Sequence, residues 1–98
     1  METLSEAVVR LAAAGFLDSF VPEDGRLRAL MARRLFFPEE LVVEEVVRFE
    51  GDSDPGDEAI LFALRSHPGD VRGTFATGYG ATLDPASAEV VRRLVRGR

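Results

Sequence analysis

Glu45 is the residue whose position most asks for a chemical account. It lies in the run Leu41-Val42-Val43-Glu44-Glu45-Val46-Val47-Arg48-Phe49-Glu50, which reads as a strand. Alternation puts Leu41, Val43, Glu45, Val47 and Phe49 on one side, the apolar one. A carboxyl group there is desolvated, and burial raises its pKa towards the range useful for a general acid or base unless a cation offsets it. The matching face of a later strand carries Thr77 and Tyr79, so a pocket acid beside a Tyr hydroxyl is one reading. Arg48, Glu50 and Asp54 stand at the same strand end and complete a candidate binding set: Glu45, Arg48, Glu50, Asp54, Thr77 and Tyr79. The competing reading is structural. Glu45 pairs with an Arg, is turned outward by a bulge, or sits where the core is thin.

Other constellations are weaker. Asp52, Asp54, Asp57 and Glu58 surround Pro55-Gly56, and the D-x-D start is similar to a calcium loop. The twelve-residue calcium pattern then needs Gly at Asp57 and Glu at Ala63, so no metal is expected; turn chemistry explains the acids. Thr77-Gly78-Tyr79-Gly80 leads into a helix start, but Asp84 at the N-cap takes the amide donors that a phosphate would use. His67 beside Pro68 is a solvated turn residue. No residue is assigned as catalytic, and no cofactor is expected.

Absences narrow the chemistry further. The chain has no Cys, which removes thiolate nucleophiles, disulfides and zinc–thiolate sites. All 12 basic residues are Arg, so Schiff-base chemistry and a Walker-type phosphate loop are excluded. Asn and Gln are also missing. This bias fits a GC-rich genome and also a heat-adapted source. A net charge of −5 argues against nucleic acid. The Arg groups at 26–34 and 92–98 read as solvated faces and a charged helix C-terminus. No apolar run reaches the ~20 residues of a membrane span. There is no secretory start, so cytoplasmic residence without membrane contact is expected.

The 98 residues read as one domain, 1–98, and 46% of them are hydrophobic, enough for one modest core. Thr3 and Glu6 form a capping box, and apolar residues recur at helical spacing up to Gly15, predicting a helix over 4–14. Phe16 to Val21 reads as a short extended segment, and Pro22-Glu23-Asp24-Gly25 as a type I turn followed by Gly. Residues 26–37 lean towards extended structure, and Pro38 to Glu40 towards a single turn. Strands are expected over 41–50, 59–65 and 71–79. Asp84-Pro85 opens a second helix, which Gly97 ends. The expected fold is therefore α+β, a two-layer sandwich. An antiparallel sheet of three to five strands carries the N-terminal and C-terminal helices on one face. The opposite face would show Val42, Val46, Ala59, Leu61, Ala63 and Ala76, apolar enough for self-association.

The stretch Phe37-Pro38-Glu39-Glu40 through Val46-Val47-Arg48-Phe49-Glu50-Gly51, with Ser53-Asp54-Pro55 after it, resembles a family of small bacterial proteins often labelled "phosphoribosylpyrophosphate synthetase". The family pattern has a Pro-Glu-Asp turn, a Glu-Val-Tyr-Arg-Phe-Glu-Gly strand end and a Ser-Asp-Pro or Ser-Asn-Pro loop. Val47 stands at the Tyr position. Leu4-Ser5-Glu6-Ala7, Gly15-Phe16 and Tyr79-Gly80 fit as well, so the likeness spans most of the chain. It implies the family's fold. The enzymatic label is not supported by these residues, because a synthetase of that kind is far longer and uses a Lys, a His and an acidic phosphate loop. The function expected is a small binding module, non-catalytic and self-associating through its sheet face, with a small molecule or a protein as partner. The alternatives are a carboxylate/Tyr enzyme around Glu45 and a structural subunit of a larger assembly.

Overall fold

The computed structural model describes residues 2–49, 58–78 and 84–97. Two helices, α1 (Leu4–Ala13) and α2 (Pro85–Arg96), bracket six strands: β1 (Asp18–Glu23), β2 (Arg26–Ala29), β3 (Arg34–Phe36), β4 (Leu41–Phe49), β5 (Ala59–Ser66) and β6 (Arg72–Gly78). The local signals act as expected. Thr3 Oγ accepts from the Glu6 amide at 3.1 Å, and Glu6 returns a carboxylate oxygen to the Thr3 amide at 2.9 Å. Gly15 ends α1 at φ +104°, and the Phe16 amide turns back to the Leu11 carbonyl at 2.9 Å. Asp84 caps α2 through the Ser87 amide at 2.8 Å.

The hairpin between β1 and β2 is tighter than the expected turn. Glu23 pairs with Arg26, leaving Asp24 and Gly25 as the loop, at φ +51° and +76°. Two left-handed residues give the hand of turn that twisted strands need, which Asp-Gly supplies at low cost. Pro22 and Glu23 therefore belong to the strand.

The strand order is β3-β2-β1-β6-β5-β4, and it is mixed rather than antiparallel: β1 runs parallel to β6. Residues 16–37 contribute three short strands, which raises the count to six. The two halves are both antiparallel meanders, and the ladder between them pairs Asp18 with Gly73 and Ser19 with Thr74.

The helices lie on opposite faces, not on one. Ile60, Phe62 and Leu64 of β5 join Phe20, Leu27, Phe36, Leu41, Phe75, Val90 and Leu94 in the core beneath α2. Leu61 and Ala63, the alternate residues of the same strand, pack against Ala7 and Leu11 of α1. A strand apolar on both sides needs a cover on both sides. Leu61 and Ala63, expected on a self-association face, are 0% and 1% exposed under α1. The architecture is α+β in three layers.

The sheet is also forced to curl. β3 and β4 are its two edges, yet only Phe37 to Glu40 separates them in the chain. A flat sheet would hold them five spacings apart, about 24 Å, whereas five residue steps reach at most about 18 Å. The edges must bend towards each other around α2, and Phe36 and Leu41 share one core cluster as a result. Inside that trough Phe62 stacks on Phe75 at 5.9 Å between ring centroids, and Phe20 meets Phe36 edge-on at 6.1 Å.

The seam between the two halves depends on Gly73. A Cβ there would lie 2.2 Å from the Asp18 carbonyl oxygen, so β6 can approach β1 only without a side chain. Replacing Gly73 with Ala should lower unfolding free energy by about 2 kcal/mol or more, as overpacked sites do. Urea denaturation of the purified variant checks this. A midpoint within error of the parent would show that the strands can separate freely.

Candidate functional site

The expected site residues do not assemble. Val43 pairs with Leu64 and Glu45 with Ala63, so Glu44 is an extra residue that breaks the alternation of β4. Before this bulge Leu41 and Val43 face α2. After it, Glu45 and Val47 face α1, while Val46 and Arg48 face α2. Glu45 is turned to the outer surface, where its carboxylate accepts from Arg10 Nη2 at 2.7 Å and Nη1 at 3.3 Å. Arg10 also donates to both oxygens of Glu2, at 2.7 and 3.1 Å. Those two carboxylates push the Arg10 guanidinium pKa further up, Glu2 contributing more, and Arg10 holds Glu2 below the ordinary carboxylate range. The structural reading of Glu45, a bulge and an Arg pair together, is the one found.

Thr77 lies on the other face. It is level with Ile60, as Arg48 is from the opposite side, so Thr77 and Arg48 stand two strand spacings apart in one row beneath α2. The Thr77 hydroxyl donates to the Gly78 carbonyl at 3.1 Å. Glu45 and Thr77 are therefore separated by the sheet. Glu50, Asp54 and Tyr79 lie outside the described residues, as does most of the acidic loop.

The groups with the most organised surroundings are elsewhere, at the end of the sheet where β1 and β6 begin. Asp18 opens β1 and is 6% exposed. Its Oδ1 accepts from the Ser19 and Met31 amides at 2.8 Å each, and its Oδ2 from the Ala32 amide at 3.0 Å. A buried carboxylate is tolerable only when so paired. Here it fixes the β2–β3 turn, whose Arg33 is left-handed at φ +57°. Nearby, Asp70 accepts from the Ser66 hydroxyl at 2.7 Å and from Arg34 Nη1 at 2.8 Å. Those two donors, Ser66 first, hold the Asp70 carboxyl below its ordinary range.

These contacts shape a cleft of about 370 Å³. The α1–β1 connection supplies Gly15 and Leu17, the β2–β3 turn supplies Met31 and Ala32, and the β5–β6 turn supplies Gly69 and Asp70. Asp18, Val71 and Arg72 complete the lining. Leu17 and Met31 are 64% and 69% exposed, although both are large and apolar. The sequence signals were a lone acid between Leu17 and Phe20, and an Arg on each side of one short turn, Arg65 and Arg72.

A second cleft, about 470 Å³, lies on the other side of the β5–β6 turn. Leu41, Val43 and Leu94 line it, with His67 and Glu39 among the polar residues. Its acid is engaged: Glu39 accepts from Arg93 Nε at 2.7 Å, while Arg93 Nη1 donates to the Gly25 carbonyl at 3.0 Å. Arg93 holds Glu39 below the ordinary carboxylate range. This contact ties α2 to the edge-to-edge link and to the β1–β2 hairpin. Among the described residues, no His, Cys, Asp or Glu group of three or more gathers to hold a metal ion.

No protein-family model, curated protein or solved structure matches this chain.

Two outcomes follow from the carboxylates. Asp18→Asn replaces an acceptor by an amide donor facing backbone N–H groups, and should cost about 1.5–3 kcal/mol of stability in a denaturant titration. Asp70 has a depressed folded-state pKa, so its stabilisation is full above the unfolded carboxylate pKa and is lost as pH falls through the folded value. The stability gap between parent and Asp70→Asn should therefore be widest near pH 7 and shrink below about pH 4. A gap independent of pH would remove the assigned charge interaction.

Proposed function

We propose that this chain is a non-catalytic binding module whose ligand site is the cleft between the α1–β1 connection, the β2–β3 turn and the β5–β6 turn. The observation that carries the reading is the pairing of Leu17 and Met31, both left exposed, with a backbone frame that buried Asp18 holds in place. Binding residues set on loops that a rigid scaffold positions are the usual arrangement. The resemblance to the small bacterial family is part of this proposal, without the synthetase activity of its label.

An enzyme reading has less support. Glu45 is paired with Arg10 at the surface, and the sheet separates it from Thr77. Neither Asp18 nor Asp70 is poised as a base, since each carboxylate is already hydrogen-bonded at both oxygens.

Self-association has a specific observation behind it, though on a different patch from the expected one. α1 packs over β4 and β5, and leaves the same face of β1–β3 open. Val21 and Leu30 are exposed there beside Ser19 and Arg28, and Ala76 of β6, the one residue shared with the expected face, is exposed next to them. A second copy of the chain is the proposed cover.

A thermal-denaturation screen against small molecules of varied charge tests the first reading. A compound at ~100 times its dissociation constant should stabilise by about 2.7 kcal/mol. The shift should vanish in Leu17→Asp and Met31→Asp, which alter exposed side chains only. Hits insensitive to both variants would move the site elsewhere. Sedimentation equilibrium tests the second: mass should rise with concentration in the parent and stay monomeric in Val21→Glu. A monomer throughout the high micromolar range would end it.

A further inference from the structure

We propose that the cleft takes a small organic carboxylate with a short apolar tail, and that Arg72 is its anchor. This rests on the reading of the cleft as the ligand site.

The argument begins with a conflict in the sheet. Arg65 of β5 stands directly opposite Arg72 of β6, and both lie on the α1 side. Like charges facing each other across a ladder are destabilising. One of the pair is relieved: Arg65 Nε donates to Glu44, the bulged residue of β4. Among the described residues, Arg72 makes no ion pair. A sequence that breaks a local rule without compensation commonly does so where a ligand completes the arrangement.

Arg72 is also aimed. Its Nη1 lies 3.1 Å from where a Cβ on Gly15 would stand, so the head of the side chain rests over the α1–β1 connection and into the cleft. Gly15 permits this twice over, through its φ of +104° and its missing side chain. The two acids of the cleft are turned to other donors. Asp18 accepts from three backbone amides, and Asp70 from Ser66 and Arg34.

The remaining features set the class of anion. A single guanidinium fork matches the two oxygens of a planar carboxylate. A phosphate dianion would need more donors, and the two fixed carboxylates would repel its double charge more strongly than that of a monoanion. Leu17 and Met31 offer apolar lining beside the fork, and Val71, a buried member of the core cluster, also lines the cleft. A volume of about 370 Å³ is at the small end of ligand pockets.

The test is an amide-shift titration of the isotope-labelled full chain by NMR. The probes are hexanoate, hexanol, hexylamine and inorganic phosphate. Hexanoate should shift resonances of Leu17, Met31 and Gly69 to Arg72, with hexanol at least about tenfold weaker. Arg72→Ala should weaken hexanoate about tenfold or more and leave hexanol unchanged, while Arg72→Lys should recover part of the loss. Arg72 is exposed, so both variants should keep the parent's dispersed spectrum. Equal binding of hexanol or hexylamine at the same residues would overturn the anionic class and keep the cleft as the ligand site. Phosphate binding as tightly as hexanoate would overturn the carboxylate class alone. Shifts in the cleft with none of the probes would overturn this inference, and a failed thermal screen as well would remove the cleft reading itself.

Discussion

The fold depends on one close approach, that of β6 to the carbonyl of Asp18. The strands N-terminal of residue 37 form one meander, and those C-terminal of residue 40 form another. Their ladder contact is two residue pairs long. Gly73 makes the contact sterically possible, and the Asp18 carboxylate locks the neighbouring turn against it. The link from Phe37 to Glu40 then closes the figure from the far side, because it is too short to join the edges of a flat sheet. A helix is the filler that such a trough accommodates, and α2 presents Val90 and Leu94, 0% and 2% exposed, to it.

Electrostatics follows this geometry rather than directing it. The Arg–carboxylate pairs sit where separate pieces of chain must be held together. Arg93 joins α2 to the link and the first hairpin, Arg10 joins α1 to β4, and Arg34 joins β3 to the β5–β6 turn. Exposed pairs of this kind contribute little each to stability. Their value is in orientation. Among the described residues every buried polar side-chain atom has a partner.

Much of the local structure was legible in the residues. The Thr3/Glu6 box, the Gly15 stop, the Asp84-Pro85 start and the two long central strands are short-range features, and short-range chemistry determines them. A turn at Pro22 to Gly25 was visible too, but as a type I turn; the tighter Asp-Gly hairpin follows from strand twist, which a turn motif alone does not display. What escaped was pairing at a distance. Nothing in Asp18-Ser19 or Gly73-Thr74 announces that these segments lie side by side. The apolar second face of β5 was legible, yet a sheet partner, a helix and another chain all satisfy it equally; only the path of the chain assigns it to α1. Glu45 illustrates the same limit. One inserted residue at Glu44 reverses every side chain beyond it, and a list of alternating residues cannot record such a slip. The candidate site was missed for a related reason. Asp18 and Arg72 gain their meaning from neighbours distant in sequence.

The position of α2 after all six strands has a consequence for biosynthesis. A ribosome delivers the strands first, and the concave side of their sheet is then an open channel lined by Phe20, Phe36, Phe62 and Phe75. Until the last helix emerges, that aromatic lining has no cover from its own chain. The nascent protein must stay loosely collapsed, or be shielded by a chaperone, through this interval. The parallel seam adds to the delay, since an early strand waits for a late one.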